Sequence, residues 1–173
     1  SFNLKIEQQS DGTYIATPNG LQTLERGVSF YYDFNQDGFD DYIIAGTIKS
    51  FDSQPQLILI YLNDGNGNFE EHQRIPCGDD MRLALISTDA DGYKESLIAM
   101  GSTWNGFRYD IVPFRNINGK YVKWANSPFD AQSQMADFGR GTNNGEIVVT
   151  DMNSDNKDDV ILLGRRTHSD AGG

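Results

Sequence analysis

The stretch SFYYDFNQDGFDDYIIAG, residues 29–46, decides the fold of this chain. It reads as a strand, an acidic turn, a second strand and a glycine, because aromatic and β-branched residues flank a cluster of Asp, Asn and Gly. The pattern recurs as LALISTDADGYKESLIAMG, residues 83–101, and as EIVVTDMNSDNKDDVILLG, residues 146–164. The three copies predict a repeated supersecondary unit.

A hairpin precedes each acidic copy. The hairpins span residues 2–16, 56–75 and 108–125, and they turn at Asp-Gly or Asn-Gly steps within residues 10–12, 64–67 and 118–119. Such steps between aromatic and β-branched residues are a strong hairpin signal. The sequence therefore predicts one all-β repeat domain over residues 1–173, with four-stranded units at about 1–50, 54–103 and 106–166 and a flexible tail at 167–173.

Four short antiparallel strands per repeat are typical of a β-propeller blade. Three blades are fewer than the four to eight of a usual ring. The repeats also do not coincide with whole blades at the two ends, because the chain opens with what would be the outer hairpin of a blade and closes with an inner strand pair. We therefore expect propeller-type blades that belong to a larger propeller, or that copies of the chain complete in a homo-oligomer or larger assembly; otherwise the three units pack in some other way. Residues 128–138, the best helix candidate, are predicted to form a loop.

The three acidic turns place oxygen-bearing side chains at positions 1, 3, 5 and 9 of a tight loop, with a backbone carbonyl at position 7. Ca²⁺ binds six to eight such oxygen ligands. Gly38 and Asn156, which tolerate positive φ, stand at position 6 of the first and third loops. The predicted ligands are Asp33, Asn35, Asp37, the Phe39 carbonyl and Asp41 in the first loop, and Asp151, Asn153, Asp155, the Lys157 carbonyl and Asp159 in the third. Position 12 is Ile44 or Leu162 rather than an acidic residue, which excludes an EF-hand.

The middle loop is a degraded copy of the other two. Its ligands would be Ser87, Asp89, Asp91, the Tyr93 carbonyl and Glu95. We expect it to bind Ca²⁺ more weakly, because Ser87 is a poorer ligand than Asp and Lys94 lies beside the carboxylates. An alternative is that all three loops are ordinary acidic turns, since Asp, Asn and Gly are common turn residues. Two full matches in register favour the metal.

The pattern Asp-x-Asn-x-Asp-Gly-x-x-Asp between two strands, the second ending near Gly46 or Gly164, resembles the FG-GAP/VCBS repeat family. That family forms calcium-binding propeller blades in integrin α-subunit heads and in many bacterial secreted proteins. The resemblance covers nearly the whole chain and implies calcium ligation by the first and third loops, with roles in protein–protein interaction and cell adhesion. The Gly-Ala-Pro signature is replaced at Gly46-Thr47, Gly101-Ser102 and Gly164-Arg165, which favours the VCBS branch.

Composition narrows the classes of partner. The chain carries 14 Lys plus Arg against 25 Asp plus Glu, a formal charge of -11, which argues against nucleic acid and against an anionic membrane surface. The longest apolar run, residues 57–62, is too short to insert into a membrane. Only two histidines are present and no catalytic motif occurs, so we expect no enzyme activity. A chain without a disulfide needs another source of stability outside the cell. Millimolar extracellular Ca²⁺ can supply it, because that concentration is enough to occupy calcium sites of low affinity. An extracellular or periplasmic location is therefore predicted.

One segment has the composition of a binding hot spot. Its aromatic, amide and guanidinium side chains are Trp104, Asn105, Phe107, Arg108 and Tyr109. Trp104 packed between neighbouring blades is an equal alternative. The chain is thus interpreted as a calcium-stabilised module that binds a protein or a glycan. Two other classes stay open. One is a small periplasmic inhibitor or immunity protein, for instance against a lysozyme-like enzyme, with residues 105–109 as its blocking loop; the other is a structural subunit of a larger assembly.

Overall fold

The computed structural model describes residues 4–18, 20–48, 56–102, 109–127 and 146–163. These ranges contain β-strands and no helix, which confirms the prediction of an all-β chain. The strands are β1 (Leu4–Gln8), β2 (Tyr14–Pro18), β3 (Glu25–Tyr32), β4 (Asp41–Thr47), β5 (Gln56–Asn63), β6 (Phe69–Pro76), β7 (Asp79–Ile86), β8 (Ser96–Ser102), β9 (Tyr109–Ile117), β10 (Lys120–Lys123), β11 (Glu146–Thr150) and β12 (Asp159–Leu163).

The strands form antiparallel sheets of two, four, four and two strands. The chain divides into two compact units, Ser1–Pro76 and Cys77–Gly173. The first unit holds the hairpin β1-β2 and the sheet β3-β4-β5-β6, and the second holds the sheet β7-β8-β9-β10 and the pair β11-β12. In both four-stranded sheets every strand pairs with its neighbour along the chain, which gives two simple meanders.

The prediction of three four-stranded repeats is wrong. Each four-stranded sheet starts with an acidic strand pair and continues into the hairpin that follows it, because β4 pairs with β5 and β8 pairs with β9. The predicted units joined each hairpin to the acidic pair after it. A repeat period is the same wherever counting begins, so it does not show which strands share hydrogen bonds. Among the described residues, β1-β2 and β11-β12 are separate two-stranded sheets, and the described strands close no propeller ring.

The core of the first unit lies on the two central strands of its sheet. Ile43, Ile58 and Ile60 on one face are fully buried, and Leu59 on the other face is fully buried as well. Leu59 belongs to an apolar cluster with Leu21, Ile44, Leu57 and Tyr61. Because both faces of β4 and β5 are covered, these strands read as continuous apolar runs rather than as alternating patterns.

The second unit repeats this arrangement on β8. Leu97, Ile98, Ala99 and Met100 are at most 3% exposed, so this strand is also covered on both faces. Phe114 from β9 is buried beside it in the same sheet. The buried central strands fix the positions at which the acidic turns leave the sheets.

The turns form where the sequence predicts them. The three glycine hairpins connect β1 to β2, β5 to β6 and β9 to β10, and the three acidic turns connect β3 to β4, β7 to β8 and β11 to β12. In a meander, the first and third connections lie at the same end of the sheet. In the first unit, Phe39 of the acidic turn therefore lies over Gly65 of the hairpin turn, where a Cβ would meet the ring at 2.6 Å. In the second unit, the same reasoning explains why Asn116, at the hairpin between β9 and β10, donates to the Tyr93 hydroxyl of the middle acidic turn at 3.0 Å.

Candidate metal centres

The first acidic loop winds around its own side chains. The Asp33 carboxylate accepts the backbone N–H of Asp37 at 3.0 Å through Oδ1 and that of Gly38 at 2.9 Å through Oδ2. The Asn35 Oδ1 also accepts the Asp37 N–H, at 3.1 Å, and the Asp37 Oδ1 accepts the Phe39 N–H at 2.9 Å. These bonds draw the side chains at positions 1, 3 and 5 to the inside of one turn.

Position 9 anchors this loop to the sheet. Asp41 is fully buried, and its Oδ2 accepts the Phe34 N–H while its Oδ1 accepts the Asn63 N–H, each at 2.9 Å. Burial raises the pKa of Asp41, and the hydrogen bonds from Asn63 and Phe34 oppose that rise. The Asn63 side chain adds a second bridge, since its Nδ2 donates to the Asp40 carbonyl at 3.0 Å. Asp41 therefore holds the acidic turn and the hairpin strand β5 together.

The third loop repeats the geometry of the first. The Asp151 carboxylate accepts the N–H of Asp155 at 3.2 Å and that of Asn156 at 2.8 Å. The Asn153 Oδ1 accepts the Asp155 N–H at 3.0 Å, and the Asp155 Oδ1 accepts the Lys157 N–H at 2.9 Å. The two loops thus share one hydrogen-bond scheme at matching positions, although the residues between the ligands differ.

The middle loop keeps only part of this scheme. The Asp89 Oδ1 accepts the Asp91 N–H at 3.3 Å, and the Asp91 Oδ1 accepts the Tyr93 N–H at 2.7 Å. No hydrogen bond within the described residues reaches the Ser87 Oγ, although Ser87 is only 5% exposed. The Glu95 Oε2 is likewise buried without a partner among those residues. Positions 1 and 9 of this loop therefore present two buried oxygens.

One contact is common to all three loops. The carboxylate at position 9 accepts the backbone N–H at position 2, a bond that joins Met152 to Asp159 at 2.9 Å in the third loop and Thr88 to Glu95 at 2.8 Å in the middle loop. In the first loop Asp41 accepts the corresponding N–H. The longer Glu95 side chain also accepts the hydroxyl of Thr88 through the same oxygen. The position-9 acid thus ties the start of each loop to its end.

Backbone conformation also repeats in the three loops. Position 6 has positive φ at Gly38, Gly92 and Asn156, which confirms the left-handed bend expected there. Position 4 has positive φ as well, with values of 61° at Gln36, 66° at Ala90 and 63° at Ser154. The sequence did not reveal this second bend, because none of the three residues at position 4 is glycine or asparagine.

A link between two loops is absent from the sequence predictions. The Asp158 Oδ2 accepts the Ser87 N–H at 2.7 Å and forms an ion pair with the Lys94 Nζ at 2.8 Å. The Asp158 N–H in turn donates to the Ser87 carbonyl at 3.0 Å. Burial acts to raise the pKa of Asp158, but the hydrogen bonds from Lys94 and Ser87 outweigh it and leave that pKa lowered. Lys94, expected to repel a cation from its own loop, points instead at the third loop.

The donor atoms of the first and third loops fit a hard cation, because they are all oxygens from carboxylates, an amide and a backbone carbonyl. Three of the predicted residues in the third loop, Asp155, Lys157 and Asp159, line one cavity of about 430 Å³. Within the described ranges, however, no group of three or more His, Cys, Asp or Glu side chains has an arrangement that could hold a metal ion. Metal binding by these loops therefore stays a prediction.

Most of the predicted partner-binding segment lies outside the residues that the structure describes. Trp104, Asn105, Phe107 and Arg108 lie outside the described residues, as does the segment 128–138. For Tyr109 only the backbone is described, and it pairs with Ser102 at the start of β9. The roles predicted for these residues stay predictions.

Comparisons with protein families, with curated proteins and with solved structures find no match for this chain. In the part of the chain that the structure describes, no helix is long and apolar enough to cross a membrane.

Proposed function

We propose that this chain is an extracellular or periplasmic binding module of propeller-blade type, which uses Ca²⁺ structurally and recognises a protein or a glycan. The observation that carries the proposal is the repetition of one loop conformation at residues 33–41 and 151–159. Both loops use the same positions for carboxylate acceptors and the same two positions for left-handed backbone. A hard cation requires several oxygen ligands at fixed positions of a loop, whereas an ordinary turn does not require the same five oxygen-bearing positions in two separate loops.

Four of the ligands in each loop would come from the turn, and the fifth, Asp41 or Asp159, would come from the first residue of the strand that follows it. In the first loop, Asp33, Asn35, Asp37, the Phe39 carbonyl and Asp41 would hold the ion, and the corresponding residues would do so in the third. Bound Ca²⁺ would supply positive charge to a turn that otherwise concentrates carboxylates. The Asp41 carboxylate already joins the turn to β5, so a cation at the first loop would stiffen the meander at the end where its turns meet. The middle loop would be a weaker third site.

The test separates the turn from the metal by using isosteric amides. In a chain carrying both Asp37→Asn and Asp155→Asn, each side-chain oxygen can still accept the N–H two residues on, but two carboxylate charges are lost. We expect Ca²⁺ to raise the midpoint of thermal unfolding of the unchanged chain above its value in EDTA, with a much smaller effect from Mg²⁺. The double variant should lose that rise while keeping its midpoint in EDTA.

Glu70→Gln is the matched control, because Glu70 is an exposed carboxylate on β6 outside the loops. This variant should keep the full response to Ca²⁺. An equal response to Ca²⁺ in the unchanged chain and in the double variant would show that the loops do not hold the ion. If Ca²⁺ did not change the midpoint of the unchanged chain, the three loops would be ordinary acidic turns without a bound ion.

A second candidate, a structural subunit of a larger assembly, is favoured by the apolar residues that the hairpin β1-β2 exposes. Ile6 and Tyr14 are each 66% exposed, and they lie on one face because Ile6 pairs with Ala16 and Tyr14 pairs with Gln8. Further strands or a second copy would cover such a face. Light scattering at rising concentration should then show a growing mass that Ile6→Lys abolishes, and a constant monomer mass would exclude self-assembly.

A further inference from the structure

The cavity beside the third loop lies within the second compact unit and has a volume of about 430 Å³. Its wall combines the end of the third loop with Thr88, Arg115 and Trp124. Small-ligand sites have volumes of this order and place a few polar groups around an aromatic surface. The mixture of an indole, two cations and several carboxylates in one cavity indicates a polar organic ligand.

The guanidinium group of Arg115 lies over an aromatic ring in the cavity wall. Its guanidinium carbon lies 4.9 Å from the centroid of the Trp124 ring. A guanidinium that is stacked on an aromatic ring keeps its N–H groups in a fixed plane, from which they can bind both oxygens of a carboxylate. Lys157 adds a second cation to the same wall. The same wall carries three carboxylates, of which Asp158 is paired with Lys94, so the two cations form a positively charged part of the wall beside hydrogen-bond acceptors, and an anionic group can bind at that part.

The carboxylates of the cavity can accept hydrogen bonds from a ligand. Asp158 is already paired with Lys94 at 2.8 Å, and Asp155 and Asp159 each accept a backbone N–H. Their remaining lone pairs can accept hydroxyl groups. A ligand that carries one carboxylate and several hydroxyls would satisfy the cations and these acceptors together, whereas a simple fatty or aromatic acid would leave the acceptors unpaired.

We propose that this cavity binds an acidic saccharide through its uronate group, with the carboxylate on Arg115 and Lys157, the hydroxyls on the Asp side chains and Thr88, and the sugar ring against Trp124. The proposal rests on the proposed function, since it selects a glycan as the ligand and gives its chemical class. It assigns the ligand to residues of the second unit other than the segment 104–109 that the sequence suggested.

The test follows the indole N–H resonance of Trp124 in ¹⁵N–¹H spectra while sodium D-glucuronate is added to the Ca²⁺-loaded protein. Trp104→Phe assigns this resonance, because the chain has two tryptophans. We expect a saturable shift with glucuronate and binding that is roughly tenfold or more weaker with glucose or sodium acetate, because each of these lacks half of the recognised groups. The monosaccharide is used because acidic oligosaccharides bind Ca²⁺ themselves.

Arg115→Ala should weaken glucuronate binding at least about tenfold, which corresponds to the loss of charge-assisted hydrogen bonds. Lys157→Ala, on the exposed loop, provides a second variant that should also weaken binding. Lys120→Ala is the control, since Lys120 is an exposed lysine on β10 outside the cavity wall, and it should change nothing. Equal affinity for glucose, tighter binding of the zwitterion L-glutamate, or unchanged affinity in both cavity variants would overturn the proposal.

Thermal unfolding of the same samples distinguishes the two proposals. A Ca²⁺-dependent rise in the midpoint without any response to glucuronate would refute the saccharide site and leave the calcium sites standing. Glucuronate binding without a Ca²⁺ response would refute the structural calcium and retain the cavity as a saccharide site.

Discussion

Removal of the Asp41 carboxylate should destabilise the first unit more than any other single change to its acidic turn. Asp41 is fully buried and accepts two backbone N–H groups, those of Phe34 and Asn63, at 2.9 Å each. In Asp41→Ala both donors would lose their acceptor inside the protein. A buried donor without an acceptor costs about 1–3 kcal/mol, so the two together cost roughly 2–6 kcal/mol.

Part of this loss is offset, because the substitution also removes a charge from a buried position. Burial raises the pKa of Asp41, which means that the environment disfavours its ionised form. We therefore expect a net loss of about 2–4 kcal/mol in the free energy of unfolding. Small domains have a total stability of about 5–15 kcal/mol, so the effect is large enough to measure by urea unfolding in EDTA.

Asp40→Ala is the matched control for this change. Asp40 is exposed, and the contact it makes with Asn63 uses its backbone carbonyl, which the substitution keeps. Its loss should stay within about 0.5 kcal/mol. Hydrogen exchange supplies a local measurement, since the amides of Phe34 and Asn63 should exchange faster in Asp41→Ala alone. Equal stability losses in the two variants, with unchanged exchange at both amides, would refute the reasoning.

Three further changes test other parts of the structure. Ala90→Gly should stabilise the chain by up to about 1 kcal/mol in urea unfolding, because alanine is strained at a φ of 66°, and a loss of stability would contradict this. Gly46→Ala should destabilise by about 1–3 kcal/mol in the same assay, because its Cβ would lie 2.9 Å from the backbone carbonyl oxygen of Glu25; a neutral result would mean that β3 yields without strain. The hydrogen bonds to Asp64, first that from the Asn68 side chain, lower its pKa to about 2 from 3.8, so this carboxylate contributes stability that is present above pH 3.8 and lost as the pH falls towards 2. Asp64→Asn should remove that part of the acid-side loss in a comparison of unfolding at pH 5 and pH 2.5, and identical losses in both proteins would disprove the assignment.

The sequence by itself determined the strands, the turns and the left-handed bend at position 6 of the acidic loops, because these depend on neighbouring residues. Alternating and continuous apolar runs define strands, and Asp-Gly or Asn-Gly steps define hairpins. The positive φ at Gly38 and Asn156 was predictable from residue type for the same reason. The bend at Ala90 was not, since alanine disfavours it and only closure of the surrounding loop imposes it.

Only the tertiary structure decided which strands share a sheet and which side chains meet across long stretches of chain. The contacts from Asp41 to Asn63 and from Lys94 to Asp158 have no local signature. A repeat pattern is equally satisfied by joining each acidic pair to the hairpin before it or after it. In the structure, backbone hydrogen bonds join each acidic pair of the two four-stranded sheets to the hairpin that follows it, and the central strands are buried on both faces. The same pairing brings the middle loop and β9 together in the wall of the cavity, to which the third loop also contributes.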